Sequence, residues 1–176
     1  MAAAGDTRDA VLGFGAVIFV SVGSMMPFDR LVRAADEWAA AHPATDVLIQ
    51  LGNGKHLPAH ARQVRLMPPG EYRRLVETAE LFVAHAGMGS IISAIQAGRP
   101  LLMLPRRADL GEHNNDHQLA TVRNVANRPG LHHVEREDQL GGAIDRLLAG
   151  GGEAPAPISP YASPELIAAV RGFVQG

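Results

Sequence analysis

Between Ala16 and about Leu148, short β-branched runs alternate with stretches of helical periodicity. This alternation restricts the fold more than any other feature, because it is the pattern of βαβ units, which close as a parallel sheet with helices on its faces. The expected strands are Val17 to Val22, Val47 to Leu51, Val64 to Leu66, Leu81 to Ala84, Leu101 to Leu104 and a short one around Leu131 to Val134. Between them, Phe28, Leu31, Val32, Ala35, Trp38 and Ala39 recur at helical spacing and predict a helix with one face on the sheet. Further helices are expected from about Tyr72 to Thr78, from near Ser90 to the stop at Gly98, up to about Ala126, and from Asp138 to Leu148. The expected fold class is α/β, a Rossmann-like doubly wound parallel sheet, whose ligand crevice lies beyond the carboxyl ends of the strands.

The 176 residues, 47% of them hydrophobic, suffice for one packed domain of ordinary size. The expected organisation is a tail over 1–15, the Rossmann-like domain over 16–148, a Gly/Pro linker over 149–162 and an amphipathic helix over 163–176. The linker holds Gly150, Gly151, Gly152, Pro155, Pro157 and Pro160. In the final segment Ser163, Pro164 and Glu165 make a helix start. Its apolar face, Leu166, Ile167, Val170, Phe173 and Val174, is expected to pack back on the domain, or else to dock on a partner.

A net charge of −2 gives no general field that would gather nucleic acid or anionic lipid, so any phosphate binding must be local. Without cysteine there is no disulfide framework, thiolate metal site or cysteine nucleophile. The apolar stretch Val11 to Val22 is broken by Gly13 and Gly15 and falls short of the roughly 20 residues of a membrane span. Asp6 and Asp9 before it do not fit a secretory leader, and a cytoplasmic location is expected.

His85-Ala86-Gly87-Met88-Gly89-Ser90 follows a strand and opens a helix. Glycines there let the backbone approach a ligand, and a helix start offers unpaired N–H groups and partial positive charge, which suits a diphosphate. The plain alternative is a tight turn with Ser90 as the helix cap. The nicotinamide fingerprint is a poor fit, since the glycines follow the fourth strand and Ile92 stands where the third glycine would be. A phosphate-binding loop of the Gly-Lys-Ser/Thr type is absent. The second segment runs from Leu104-Pro105-Arg106-Arg107 to Gly111-Glu112-His113-Asn114-Asn115-Asp116-His117-Gln118. Asn115, Asp116 and Gln118 carry amide and carboxylate groups suited to sugar hydroxyls, or, on the plain reading, to capping a helix. His113 and His117 are four apart, as in a metal pair, but nothing nearby completes a ligand set, so no metal is expected. His85 reads as a wall residue of the turn.

Taken together, Val17-Phe19-Val20-Ser21-Val22-Gly23-Ser24, Phe28-Asp29-Arg30-Leu31-Val32, the 85–90 turn, Ala97-Gly98-Arg99-Pro100 and Asp116-His117-Gln118 resemble the C-terminal domain of glycosyltransferase family 28. This is the MurG-like, donor-binding half of GT-B enzymes, and the resemblance spans roughly residues 16 to 148. The segment Gly111 to Gln118 is similar to stand-alone, PssE-type exopolysaccharide glycosyltransferase subunits. These work with a second protein that supplies the other Rossmann half and a membrane anchor.

The resemblance implies that Gly87, Met88, Gly89 and Ser90 hold the diphosphate of a UDP-sugar, with Ser24 facing the same phosphates. It implies that Met67 and Pro68 flank the uracil, that Arg106 lines the crevice near the nucleotide, and that Asp116 and Gln118 contact the donor sugar. Related enzymes carry a ribose-binding glutamate where this chain has Ser93, which is shorter and uncharged. The implied activity is inverting transfer of a sugar of GlcNAc, glucose or glucuronate type to a lipid-linked or polysaccharide acceptor. It requires no cofactor, and the membrane-anchored partner would hold the subunit at the bilayer. His113 and Glu112 are the local candidates for general base, unless the partner supplies it. The competing readings are a nucleotide-sugar epimerase, which would need both halves in one chain, and a non-catalytic nucleotide-sugar-binding module.

Overall fold

A computed structural model describes residues 17–159 and 161–175, so the tail expected over 1–15 lies outside the described residues. Six parallel strands, β1 (Val17–Ser21), β2 (Asp46–Gln50), β3 (Arg62–Val64), β4 (Leu81–His85), β5 (Leu101–Leu104) and β6 (Leu131–His133), form one sheet. Its order is β3-β2-β1-β4-β5-β6, which reverses direction between β1 and β4. The α/β, Rossmann-like doubly wound expectation is met, and the switch point fixes where a ligand crevice can open.

The helices are α1 (Asp29–Ala41), α2 (Pro69–Thr78), α3 (Met88–Ala97), α4 (His117–Val125), α5 (Leu140–Arg146) and α6 (Pro164–Gln175). All five residues of β1 are buried, and successive side chains serve opposite faces. Ile18, Val20 and Val22 pack with Leu31, Val32 and Trp38 of α1 and Leu140 and Ile144 of α5. Val17 and Phe19 pack with Leu75 of α2, Ile91 and Ile95 of α3 and Val122 of α4. Phe19 and Phe82 are stacked at 5.5 Å, and Tyr72 meets both rings edge-on, which seats α2 against β1 and β4.

Four departures from the expected elements have local causes. β3 lies two residues earlier than expected, because as an edge strand it is only half covered and Leu66 is left 58% exposed. The helix expected near Ser90 starts at Met88 with Gly87 in the cap position, so Ser90 sits buried in the first turn and does not cap. The helix expected over Asp138–Leu148 begins with a 3₁₀ turn at Glu137–Gln139 and ends in a π turn at Leu147–Gly151, where Gly150 has φ 102°. The fourth is α6. It does not pack back on the domain: none of its described residues is buried, and Leu166, Ile167, Val170, Phe173 and Val174 are all exposed.

The segment read as a linker has a structural task at the amino end of the sheet. Pro155 is buried there against Gly130, which precedes β6, and Gly152 lies against Pro100, which precedes β5. Among the described residues no helix is long and apolar enough to cross a membrane.

Candidate functional site

A cleft of about 610 Å³ opens beyond the carboxyl ends of β1, β2, β4 and β5. Its walls are the turn Gly23–Met26 after β1, the turn His85–Ser90 with the start of α3, and His113, His117 and Gln118 from the β5–α4 connection. Met67, Pro69 and Tyr72 close the side toward α2. Among the described residues no aspartate or glutamate lines it, whereas His85, His113, His117 and Arg106 do.

Gly87 caps α3 without a side-chain hydrogen bond, and the first intrahelical bond runs from the Ile91 N–H to the Gly87 carbonyl. The N–H groups of Met88, Gly89 and Ser90 therefore have no helical acceptor and sit at the positive end of the helix dipole, on the cleft. The two glycines differ in what they serve. A Cβ on Gly87 would stand 2.3 Å from Nε2 of His85, so that glycine is demanded by packing. A Cβ on Gly89 would meet nothing within 4 Å, so the protein itself does not need that space. Ser93 lies one turn further along α3 and also lines the cleft.

His85 ends β4 with its ring between two turns, since a Cβ on Gly23, where φ is 80°, would stand 2.7 Å from its Cε1. Burial, then the positive charge of Arg106, pushes its pKa down from the usual imidazole value to about 4, with His113 and His117 adding to the shift. It is neutral at neutral pH, and its buried Nδ1 has no partner. Burial likewise lowers the His113 pKa, assisted by His117 and Arg106, and its Nδ1 is buried without a partner too. The His113 and His117 rings meet edge-on at 4.3 Å.

Arg106 is 3% exposed. Its Nη1 donates to the carbonyls of Pro27 and Glu112, its Nη2 donates to those of Val22 (2.8 Å) and Met26 (2.6 Å), and the guanidinium lies 4.6 Å over the Phe28 ring. Burial lowers its pKa to about 10, against Glu112, so it remains charged at neutral pH. Arg106 thus lines the cleft, but three of its side-chain hydrogen bonds fix the turn after β1 and a fourth ties that turn to the β5–α4 connection. Gln118, buried, accepts the Arg106 backbone N–H at 3.1 Å and completes that brace.

Several expected site residues are turned to other tasks. Glu112 accepts Arg30 Nε and Nη2, both at 2.8 Å, together with the Arg107 backbone N–H at 3.0 Å, and does not line the cleft. A carboxylate held by a bidentate guanidinium is a weak proton acceptor, so this geometry speaks against Glu112 as general base. Asp116 accepts the Ala108 N–H at 2.9 Å, and Asn115 accepts the backbone N–H of His117 at 3.1 Å; both lie outside the cleft lining and lock the loop. Pro68 is exposed at the start of α2 while Pro69 lines the cleft in its place, beside Met67. Ser24, Met67, His85, Gly87, Met88, Gly89, Ser90, Ser93, Arg106, His113 and Gln118 are brought together around one cavity.

The floor was missing from the sequence reading. Ser21 donates from Oγ to Gln50 Oε1 at 2.8 Å and accepts the Gly23 N–H at 3.2 Å, which ties the ends of β1 and β2 under the first turn. Burial raises the Tyr72 pKa, opposed by hydrogen bonding with the Ser21 and Ser90 hydroxyls. The available signal was the polar residues Ser21 and Gln50 ending otherwise apolar strands. Among the described residues no three His, Cys, Asp or Glu side chains gather as a metal centre would need.

The family model of the glycosyltransferase family 28 C-terminal domain matches residues 17–157. No curated protein matches the sequence. Among solved structures, the chain is similar to Os79 from O. sativa in complex with UDP, at 16% identity and a TM-score of 0.57, over 77% of this chain and 32% of that one. It is similar to the spinosyn forosaminyltransferase SpnP at 17% identity and a TM-score of 0.57, over 92% of this chain and 44% of that one. The glycosyltransferase VinC in complex with DTDP gives 21% identity and a TM-score of 0.53, over 78% and 34%. At these identities the likeness is one of fold, and the chain spans less than half the length of each of these proteins.

Proposed function

This chain belongs to the glycosyltransferase family 28 C-terminal domain family, and on that footing we propose that its cleft binds the diphosphate of a UDP-sugar. The observation that carries the reading is the start of α3. Three unpartnered amides and the bare Gly89 face a cavity at the sheet's switch point that no carboxylate of the described residues lines. A diphosphate placed there would accept from these N–H groups, which also stabilise the charge that grows on it as the glycosidic bond breaks. The UDP and DTDP named with two similar structures support this class of ligand.

In the same reading the domain is the donor-binding half of an inverting glycosyltransferase. The second Rossmann half, the acceptor site for a lipid-linked or polysaccharide chain and the membrane anchor belong to a partner protein that holds this subunit at the cytoplasmic face. The general base is assigned to that partner, since Glu112 is held by Arg30 and burial lowers the basicity of His113. The diversion of Asp116 and Glu112 into loop contacts, together with Ser93 in place of a ribose-binding glutamate, supports a second reading as a non-catalytic nucleotide-sugar-binding module.

The test is calorimetric titration of the chain with UDP, UDP-GlcNAc, UDP-glucose, UDP-glucuronate and NAD, repeated with Gly89→Trp. Saturable UDP binding that Gly89→Trp abolishes is the expected result, and NAD preferred over UDP would overturn it. Turnover only in the presence of a membrane-anchored partner then separates the enzyme from the module.

A further inference from the structure

We propose that His113 and His117 form a second anion subsite of the cleft, beside the start of α3 in its lining, which binds the diphosphate with uptake of a proton. The inference rests on the reading of the cleft as a nucleoside-diphosphate site. Both rings line the cavity and meet edge-on at 4.3 Å. Asn115 Oδ1 accepts the backbone N–H of His117 and also contacts its Nδ1. An atom that accepts an amide proton is an oxygen, so Nδ1 of His117 must carry the hydrogen, and Nε2 is the atom left to gain a proton. In His113 the buried Nδ1 has no partner within the protein.

In the empty cleft the charge of Arg106 opposes protonation of His113. Arg106 lies behind it from the end of β5, and His85 stands across from it at the end of β4. Of the nearby acids, Glu112 is neutralised by Arg30, and Asp116 is exposed and bound to the Ala108 N–H. Asp109 is paired with Arg107 at the surface. The first turns of α3 and α4 contain no acid, and residues 21–28 after β1 carry no charge. Among the described residues no carboxylate on the cleft wall favours an imidazolium, and burial depresses the His113 pKa. A bound diphosphate supplies the missing negative charge and favours an imidazolium beside it.

The sign follows. Below the depressed pKa of the empty site and above the raised pKa of the filled one, the protonation state does not change on binding. Between the two, a proton is taken up, and affinity falls as pH rises, by at most about tenfold per pH unit for one proton, levelling off once pH passes the filled-state value.

The probe is the β-methyl ester of UDP, whose two phosphates each keep one strongly acidic hydroxyl and do not titrate near neutrality. Calorimetry is run from pH 5.5 to 8 in two buffers of different ionisation enthalpy, with the intact chain and with His113→Gln, His117→Gln and the double variant. The expected result is uptake of about half to one proton per ligand within that range. Affinity should weaken toward pH 8, and in the double variant the uptake should vanish, with affinity flat at the wild-type pH 8 level. Binding without proton uptake overturns the proposal and leaves the diphosphate reading standing. Uptake that persists in the double variant also overturns it, by moving the proton to His85. No binding of the ester or of UDP at any pH overturns both.

Discussion

The two ends of the sheet use the same materials in opposite ways. At the amino end, two glycine spaces are filled by one strap: Gly130 is covered by Pro155 and Gly152 lies against Pro100. A buried carboxylate is satisfied there too, as Asp36 accepts the N–H groups of Ala59, His60 and Ala61 at 2.8, 2.8 and 2.9 Å just before β3. At the carboxyl end Gly89 faces open space, and buried nitrogens of His85 and His113 have no partner. A folded chain seldom leaves buried polar atoms unpaired without cause. The contrast marks one end as scaffold and the other as a place where something else completes the structure. His132, on β6, is the exception, with an unpartnered Nε2 beside a separate cavity of about 390 Å³.

The largest effect is expected at the amino end. In Gly130→Ala the added carbon would stand 2.3 Å from the backbone nitrogen of Pro155, at a residue with φ of 73°. Left-handed strain and a clash with main chain together should cost about 4 kcal/mol in chemical denaturation. If the variant is as stable as the parent, the 152–155 strap is not held down as described.

The next effect separates the two ends by pH. His85 has its pKa lowered to about 4 in the folded chain, so the unfolded chain binds the extra proton as pH falls below about 6.5. Stability should drop progressively from pH 6.5 to 4, by about 3 kcal/mol, and level off below. The loss should be much reduced in His85→Gln. At Asp36, burial raises the pKa but the three backbone N–H donors outweigh it, so the net shift is downward. Its stabilisation is present above the ordinary aspartate pKa and lost only as pH falls through the lower folded value. Asp36→Asn should cost about 2 kcal/mol at pH 7 and flatten the acid limb below pH 4 while leaving the 6.5 to 4 limb intact. Acid denaturation of the two variants decides this, and interchanged limbs would break the contrast.

Which parts were legible follows from the range of the interactions. β1 and β4 are buried on both faces, and their apolar runs announce that locally. Gly87 and Gly89 were readable as a strand-to-helix turn, because that signal lies within six residues. Arg106 lines the cleft, but its use is hidden in the sequence: the carbonyls of Val22, Met26 and Pro27 lie about 80 residues away, and backbone acceptors leave no trace in side-chain identity. Glu112 carried the same ambiguity, since nothing near it in sequence betrays that Arg30 would claim it. The packing-back of α6 failed for a related reason, because an apolar stripe states that a face seeks cover and not where the cover is.

The smallest effect on stability is expected at Gly89, and it bears most directly on the contrast. A methyl group there meets nothing within 4 Å, and alanine suits a helix better than glycine. Gly89→Ala should therefore leave the fold unharmed or stabilise it by up to about 1 kcal/mol. The same methyl would stand over the first-turn amides of α3, where a diphosphate has to approach the backbone closely, so UDP affinity should fall by about tenfold or more. Gly87→Ala is the control, because its Cβ would press on the His85 ring and must lower stability and binding together. Loss of binding without loss of stability, confined to Gly89, would mean that the space is kept for a ligand. Unchanged binding in Gly89→Ala would reduce the carboxyl-end turn to the same status as its amino-end counterparts.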